Sequence, residues 1–291
     1  MYQSKNTAQR LASLGTLFIT IIILMPFIPL IISSLAFRWQ WPDLLPAKWW
    51  WQQREISPIP LSWDYLISPS SQLGEAIANT MLIGLSASAL TLAICFPAAL
   101  IAAKRESTSK FWHAFSHSFS NLPLFLPEIS LGIPLVILAI HTNLQGSYIV
   151  IVLAHCIPAS PYVFRLLIPA LNSHGNELED HASMLGASKA QTLRHVTLPI
   201  LTPIFTISFL MAFLVSTNLF LITFLLGQGK ITTLTTLLFS HISGGALTPV
   251  ASGIAIISIL PGLLTLFIIT AGAKFNNNYR TLTRQKTRTN F

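Results

Sequence analysis

His113 and His117 stand four residues apart, the spacing that sets two imidazoles on one helix face for a metal ion. No carboxylate or cysteine is placed to complete that site, so the pair reads as a solvated face. Gly229-Lys230-Ile231-Thr232 has the ending of a phosphate loop, but such a loop needs a glycine five residues before Gly229, and Phe224 stands there. The sequence has no HExxH, GxSxG, DxDxDG or CxxC. Cys95 and Cys156 both lie in apolar runs and read as small buried hydrophobes. The chain therefore lacks a nucleotide, metal or nucleophile site of its own. Uphill work by such a chain must draw on a partner or an ion gradient.

The remaining candidates are polar groups inside apolar runs. Ionisable side chains are costly there, and function is their default reading. Glu128, His155 and Asn218 are candidates to line a solute path. Glu128 has a second reading, as an end-of-span residue reaching headgroup water. Asn79, Ser216, Thr217 and Asn218 could equally hydrogen-bond helices together.

Composition explains why such residues stand out. The chain has 291 residues, 52% of them hydrophobic and 9% charged, where a soluble domain carries about 25% charged residues. It reads as an all-α, polytopic membrane protein with six transmembrane helices, at about 14–37, 75–103, 122–140, 147–170, 198–226 and 250–273. Residues 1–13 are a polar tail, 38–73 a Trp-rich loop suited to the headgroup level, and 274–291 a basic tail. Pro26 and Pro29 are candidate kinks in the first span. With the N-terminus in the cytoplasm, 13 of the 17 Lys and Arg fall on cytoplasmic segments. Arg38, Lys48, Arg54 and Lys230 fall outside. Both termini are then cytoplasmic, and the +8 charge is membrane-surface charge, not a nucleic-acid footprint.

Residues 176–203 break this pattern. Asn176 can cap a helix whose first turn holds Glu177, Glu179 and Asp180, where the dipole favours negative charge. Leu178, Ala182 and Leu185 form one apolar stripe. Gly186 is expected to stop that helix with positive φ, and Ser188 with Gln191 reads as a capping box opening a second short helix. Leu193 is an apolar position of that helix, and Leu198-Pro199 opens the next span. The pattern is a bent pair of short helices with apolar teeth, suited to docking a soluble partner.

Asp180-His181-Ala182, then Gly186-Ala187, then Val196-x-Leu198-Pro199 resembles the EAA motif of binding-protein-dependent ABC importer permeases. Asp180 stands where that motif has Glu, and His181 where it has its first Ala. The resemblance implies a type I importer permease in the bacterial inner membrane. It implies that Leu178, Asp180, Ala182, Leu185, Gly186, Ala187, Leu193 and Pro199 couple to an ATPase subunit. The implied partners are an ATPase dimer, a second permease subunit (the same chain or another), an extracytoplasmic solute-binding protein and lipid, with no nucleic acid. ATP and Mg would be bound by the ATPase, leaving no cofactor in this chain. Residues 220–227 with Thr235 and Pro261-Gly262 resemble permeases for thiamine, iron, polyamines and similar small polar solutes. Two alternatives stand beside this reading. One is an ion-coupled secondary carrier. The other is a membrane-tethered regulator that uses 176–197 as a helix-turn-helix on DNA.

Overall fold

A computed structural model describes residues 2–39, 43–53, 61–103, 121–174, 176–244 and 248–288. The His113/His117 pair lies outside the described residues, as do Trp41, Pro42, Arg54, Pro58, Pro60, Lys104, Arg105 and Lys110.

The chain packs as two units, residues 1–74 with 237–259 and residues 75–236 with 260–291. The first unit opens with α1 (Tyr2–Leu24) and α2 (Phe27–Leu35). The polar residues before the first span are helical from Tyr2, continuous with α1, and no proline stands before Pro26. The axis bends by 40° between α1 and α2. Pro26 sits at the break and supplies no N–H to continue the ladder. A short antiparallel pair follows, β1 (Ala36–Arg38) and β2 (Lys48–Trp49), in the register Ala36 opposite Trp49. Two short helices, α3 (Trp50–Gln53) and α4 (Ser62–Ile67), complete the Trp-rich segment. Trp49 and Trp51 stack there with centroids 5.1 Å apart. Small residues close this unit: Ser252 Oγ donates to Ser33 Oγ at 2.8 Å, and Ser62 Oγ donates to the Ser34 carbonyl at 2.6 Å. A Cβ at Gly253 would collide with Leu66.

The second unit holds most of the long helices. They are α5 (Leu73–Ala103), α6 (Glu128–His141), α7 (Tyr148–His174), α8 (Asn176–Met184), α9 (Lys189–Thr192), a π turn (Leu193–Thr197), α10 (Leu198–Asn218) and α11 (Leu221–Gly227). Two more run through the division between units, α12 (Leu234–Ile242) and α13 (Pro249–Arg288).

Helix α5 shows the logic of a membrane helix. Ala76, Thr80, Ile83, Ala87, Thr91, Cys95 and Ala99 recur every three or four residues and are buried, while Leu82, Leu85, Ile94 and Ile101 are exposed. Apolar side chains face outward because lipid is as apolar as they are, and small residues face inward because they let backbones approach. At Gly84 an added Cβ would lie 2.8 Å from the Phe213 ring of α10. One cluster joins Cys95 and Ala99 to Ala159, Val163 and Leu167 of α7 and to Leu201 and Ala212 of α10. A second gathers Ile83, Ala139, Ile151, Ala154, Ile222 and Leu226. Both cysteines are buried and free.

Several expected boundaries change. Among the described residues, four helices are long and apolar enough to cross a bilayer, and α1 with α2 makes a fifth if the bent pair is one span. The expected third span, 122–140, is a 3-10 turn (Leu122–Phe125) followed by α6. Pro123 and Pro127 keep the two from merging, and the 14 residues of α6 rise only about 21 Å against about 30 Å of hydrocarbon. The expected fifth span, 198–226, is two helices, since the backbone leaves the helix at Leu219 (φ −74, ψ 98). The sixth span lies where expected, at Pro249–Gly272, and its backbone stays helical through the basic residues to Arg288, since 274–288 contains neither Pro nor Gly.

Candidate functional site

The loop after α7 stops and restarts a helix within five residues. Ala187 N–H donates to Ala182 O and Gly186 N–H to Ser183 O, both at 3.0 Å, the paired bonds of a Schellman stop. Gly186 adopts φ +85, as its place in that stop requires. Ser188 then caps α9. Gln191 N–H donates to Ser188 Oγ at 3.3 Å and Ser188 N–H to Gln191 Oε1 at 2.8 Å, so the capping box is complete.

The second short helix is not a separate element. Lys189 to Asn218 forms one continuous helix of 30 residues with the π turn inside it. Leu198-Pro199 therefore continues a helix instead of opening one. Pro199 has no N–H, and the widened turn just before it, with Leu198 N–H donating to Leu193 O, accommodates the missing bond. This geometry also removes the helix-turn-helix reading. A recognition helix must be free to enter a groove, and this one is the end of a long apolar helix.

The loop's apolar teeth point outward. Leu178 is exposed, Leu185 is 89% exposed and Met184 is 81% exposed. Asp180, Gly186 and Pro199 are exposed, whereas Ala182, Ala187 and Leu193 are half-buried. Leu178 and Leu185 thus belong to the outward surface, and Ala182 and Leu193 serve the packing beneath it. Met184 escapes the sequence reading because it lies off the i, i+4, i+7 stripe. Its signal is its place as the last helical residue before the Schellman glycine. A recess of about 390 Å³ is lined by Leu100 of α5, Glu179 and Asp180 of α8, and Lys189 and Thr192 of α9. Glu179 Oε1 accepts a 2.6 Å hydrogen bond from Thr197 Oγ1 in the π turn.

The intramembrane candidates have different settings. Glu128 is the first residue of α6 and half-buried, so it sits at a helix N-terminus. The dipole there favours its charge. Asn218 ends α10, exposed, with its Nδ2 donating to Leu214 O at 2.7 Å. His155 is 1% exposed and both ring nitrogens are engaged. Thr223 Oγ1 gives its one proton to Leu219 O at 2.8 Å, so His155 Nε2–H donates to Thr223 at 2.9 Å. Nδ1 then accepts from Ser216 Oγ at 2.7 Å. Ser216 lies on α10 and Thr223 on α11, so His155 spans the helix break at Leu219. In this conformation its ring is closed to solute and joins three helices. Asn79 ties α5 to α7 and to the segment before α12, donating from Nδ2 to Thr232 O and accepting from the Tyr148 hydroxyl, both at 2.8 Å.

Comparison with known proteins adds a family to this geometry. The family described as binding-protein-dependent transport system inner membrane component matches residues 95–275, more than half of the chain. A spermidine/putrescine transport system permease protein PotC homolog of Mycoplasma pneumoniae is 28% identical over 225 residues, covering 74% of this chain and 76% of that protein. The fold is shared with a bacterial ABC transporter involved in import of the acidic polysaccharide alginate, at a TM-score of 0.62 and 17% identity over 94% of this chain and 99% of that one. The same fold occurs in a bacterial alginate ABC transporter in complex with an alginate pentasaccharide-bound periplasmic protein, at a TM-score of 0.62 and 16% identity over 90% of this chain and 94% of that one. The match covers α7 through α10, including the capped loop. The chain belongs to this family and is an all-α, polytopic, inner-membrane permease component of a binding-protein-dependent ABC importer.

Proposed function

We propose that residues 176–199 dock this permease onto an ATPase dimer on the cytoplasmic side. The observation that carries the reading is the pair Met184 and Leu185, almost fully exposed beside a glycine that fixes their direction. Large apolar side chains on a polar loop are anchors waiting for a groove. In this reading ATP binding closes the ATPase dimer, and the loop passes that motion to α10, opening and closing a path shared with a second permease subunit. An extracytoplasmic binding protein delivers the solute. The complex formed by the alginate transporter with its periplasmic protein supports such a partner. ATP and Mg belong to the ATPase, and this chain needs no cofactor. The 13-to-4 division of Lys and Arg supports cytoplasmic termini and an outer Trp-rich segment.

Leu185→Asp tests the docking role without disturbing the fold, because the side chain touches little of its own chain. A buried apolar anchor is worth about 2 kcal/mol or more at an interface, and a carboxylate there adds a desolvation cost. The ATPase should co-purify at least tenfold less with Leu185→Asp, while the permease inserts at normal abundance. Undiminished co-purification would remove the docking role from these teeth.

A further inference from the structure

We propose that the Glu179–Thr197 hydrogen bond is the latch by which α8 moves α10, which makes both side chains positioning residues for transport. The proposal deepens the docking reading and rests on it. A docked α8 can shift the solute path only if the force reaches a long helix. The loop backbone between Met184 and Lys189 turns at a Schellman glycine and a capping box, so α8 and α9 are separate levers. Glu179 and Thr197 bypass that turn. They are 18 residues apart in sequence, yet Thr197 Oγ1 lies 2.6 Å from Glu179 Oε1. Thr197 is 4% exposed and Glu179 half-buried, so water competes poorly for the bond.

The π turn is the second observation. Each residue in a helix advances about 100°, so the extra residue of an i to i+5 turn re-aims the side chains on one side of it relative to those on the other. Thr197 closes that turn, and its hydroxyl faces α8. A regular α-helix from Lys189 onward would direct position 197 elsewhere. The turn thus places the hydroxyl and absorbs Pro199 in one step. Helix α10 then runs 21 residues to Asn218, a lever of about 31 Å.

The test uses the assembled complex of permease and ATPase and needs no solute. A reporter is introduced as Asn218→Cys in a chain carrying Cys95→Ala and Cys156→Ala. Its reaction rate with a maleimide is measured with and without a non-hydrolysable ATP analogue. The unmodified latch should give an analogue-dependent change in rate. Thr197→Val keeps the shape and removes the donor, and Glu179→Leu removes the acceptor. Each should cut that change at least threefold while the ATPase still co-purifies. The double variant should lose no more than either single one, because both remove one bond. Glu179→Gln retains an acceptor oxygen and should restore most of the change, which a merely structural loss would not allow. An undiminished response in Thr197→Val and Glu179→Leu would overturn the latch, and so would losses that add in the double variant. The docking reading fails separately, through Leu185→Asp.

Discussion

Gly186→Val should leave the permease in the membrane at normal abundance and weaken its hold on the ATPase about tenfold, the ratio that 1.4 kcal/mol represents. Position 186 has φ +85, and a β-branched residue at such an angle costs about 1–3 kcal/mol. A Cβ there would meet no atom within 4 Å, so the effect is backbone strain and not a clash. The chain can relieve the strain only by unwinding the Schellman turn. That releases the 3.0 Å bonds from Ala187 and Gly186 and swings Met184 and Leu185 out of register. The substitution series should rank Gly, then Asn, then Ala, then Val, because Asn tolerates the left-handed region best among residues with a side chain. Co-purification of the ATPase across this series is the measurement. An equal yield for all four would show that the turn's conformation is irrelevant to docking.

His155→Ala should destabilise the solubilised permease by about 2–4 kcal/mol, from an emptied volume and two lost hydrogen bonds. Ser216 would lose its partner, whereas Thr223 would keep its bond to Leu219 O. Ser216→Ala removes one bond without a cavity and should cost about 1 kcal/mol. The larger loss should appear as a lower thermal midpoint in detergent. Because His155 ties α10 to α11 across the break at Leu219, protease cleavage near that break should also rise. A thermal midpoint for His155→Ala equal to that of the unaltered chain would mean that the ring contributes nothing to the packing.

The capped loop was legible because its signals are local. Gly186 and the Ser188–Gln191 pair are read over three or four residues, and each takes the backbone form its chemistry demands. The membrane character was legible because it rests on long runs. What escaped depends on distant partners or on ambiguous local signals. Pro199 is equally at home in a helix's first turn and just after a π turn, so the join of α9 to α10 could not be read from it. The break at Leu219 carries neither Pro nor Gly, and His155, 64 residues earlier, is among the groups that hold it. Glu179 looked like a dipole charge on the first turn of α8. Its bond to Thr197 needs the π turn, which no spacing announces. Glu128 was open to two readings from its apolar neighbours, path-lining or end-of-span, and its place at a helix start depends on two flanking prolines.

If this loop touches the ATPase from the cytoplasm, proximity crosslinking will capture the contact. The permease would carry Leu185→Cys together with Cys95→Ala and Cys156→Ala, and a companion chain would carry Lys230→Cys in its place. Each would be co-expressed with its ATPase subunit and treated with a bifunctional maleimide in inverted membrane vesicles. Docking of the loop from the cytoplasm predicts a permease–ATPase adduct from position 185 and none from position 230. An adduct from position 230, or labelling of position 185 by an impermeant maleimide added to intact cells, would contradict it.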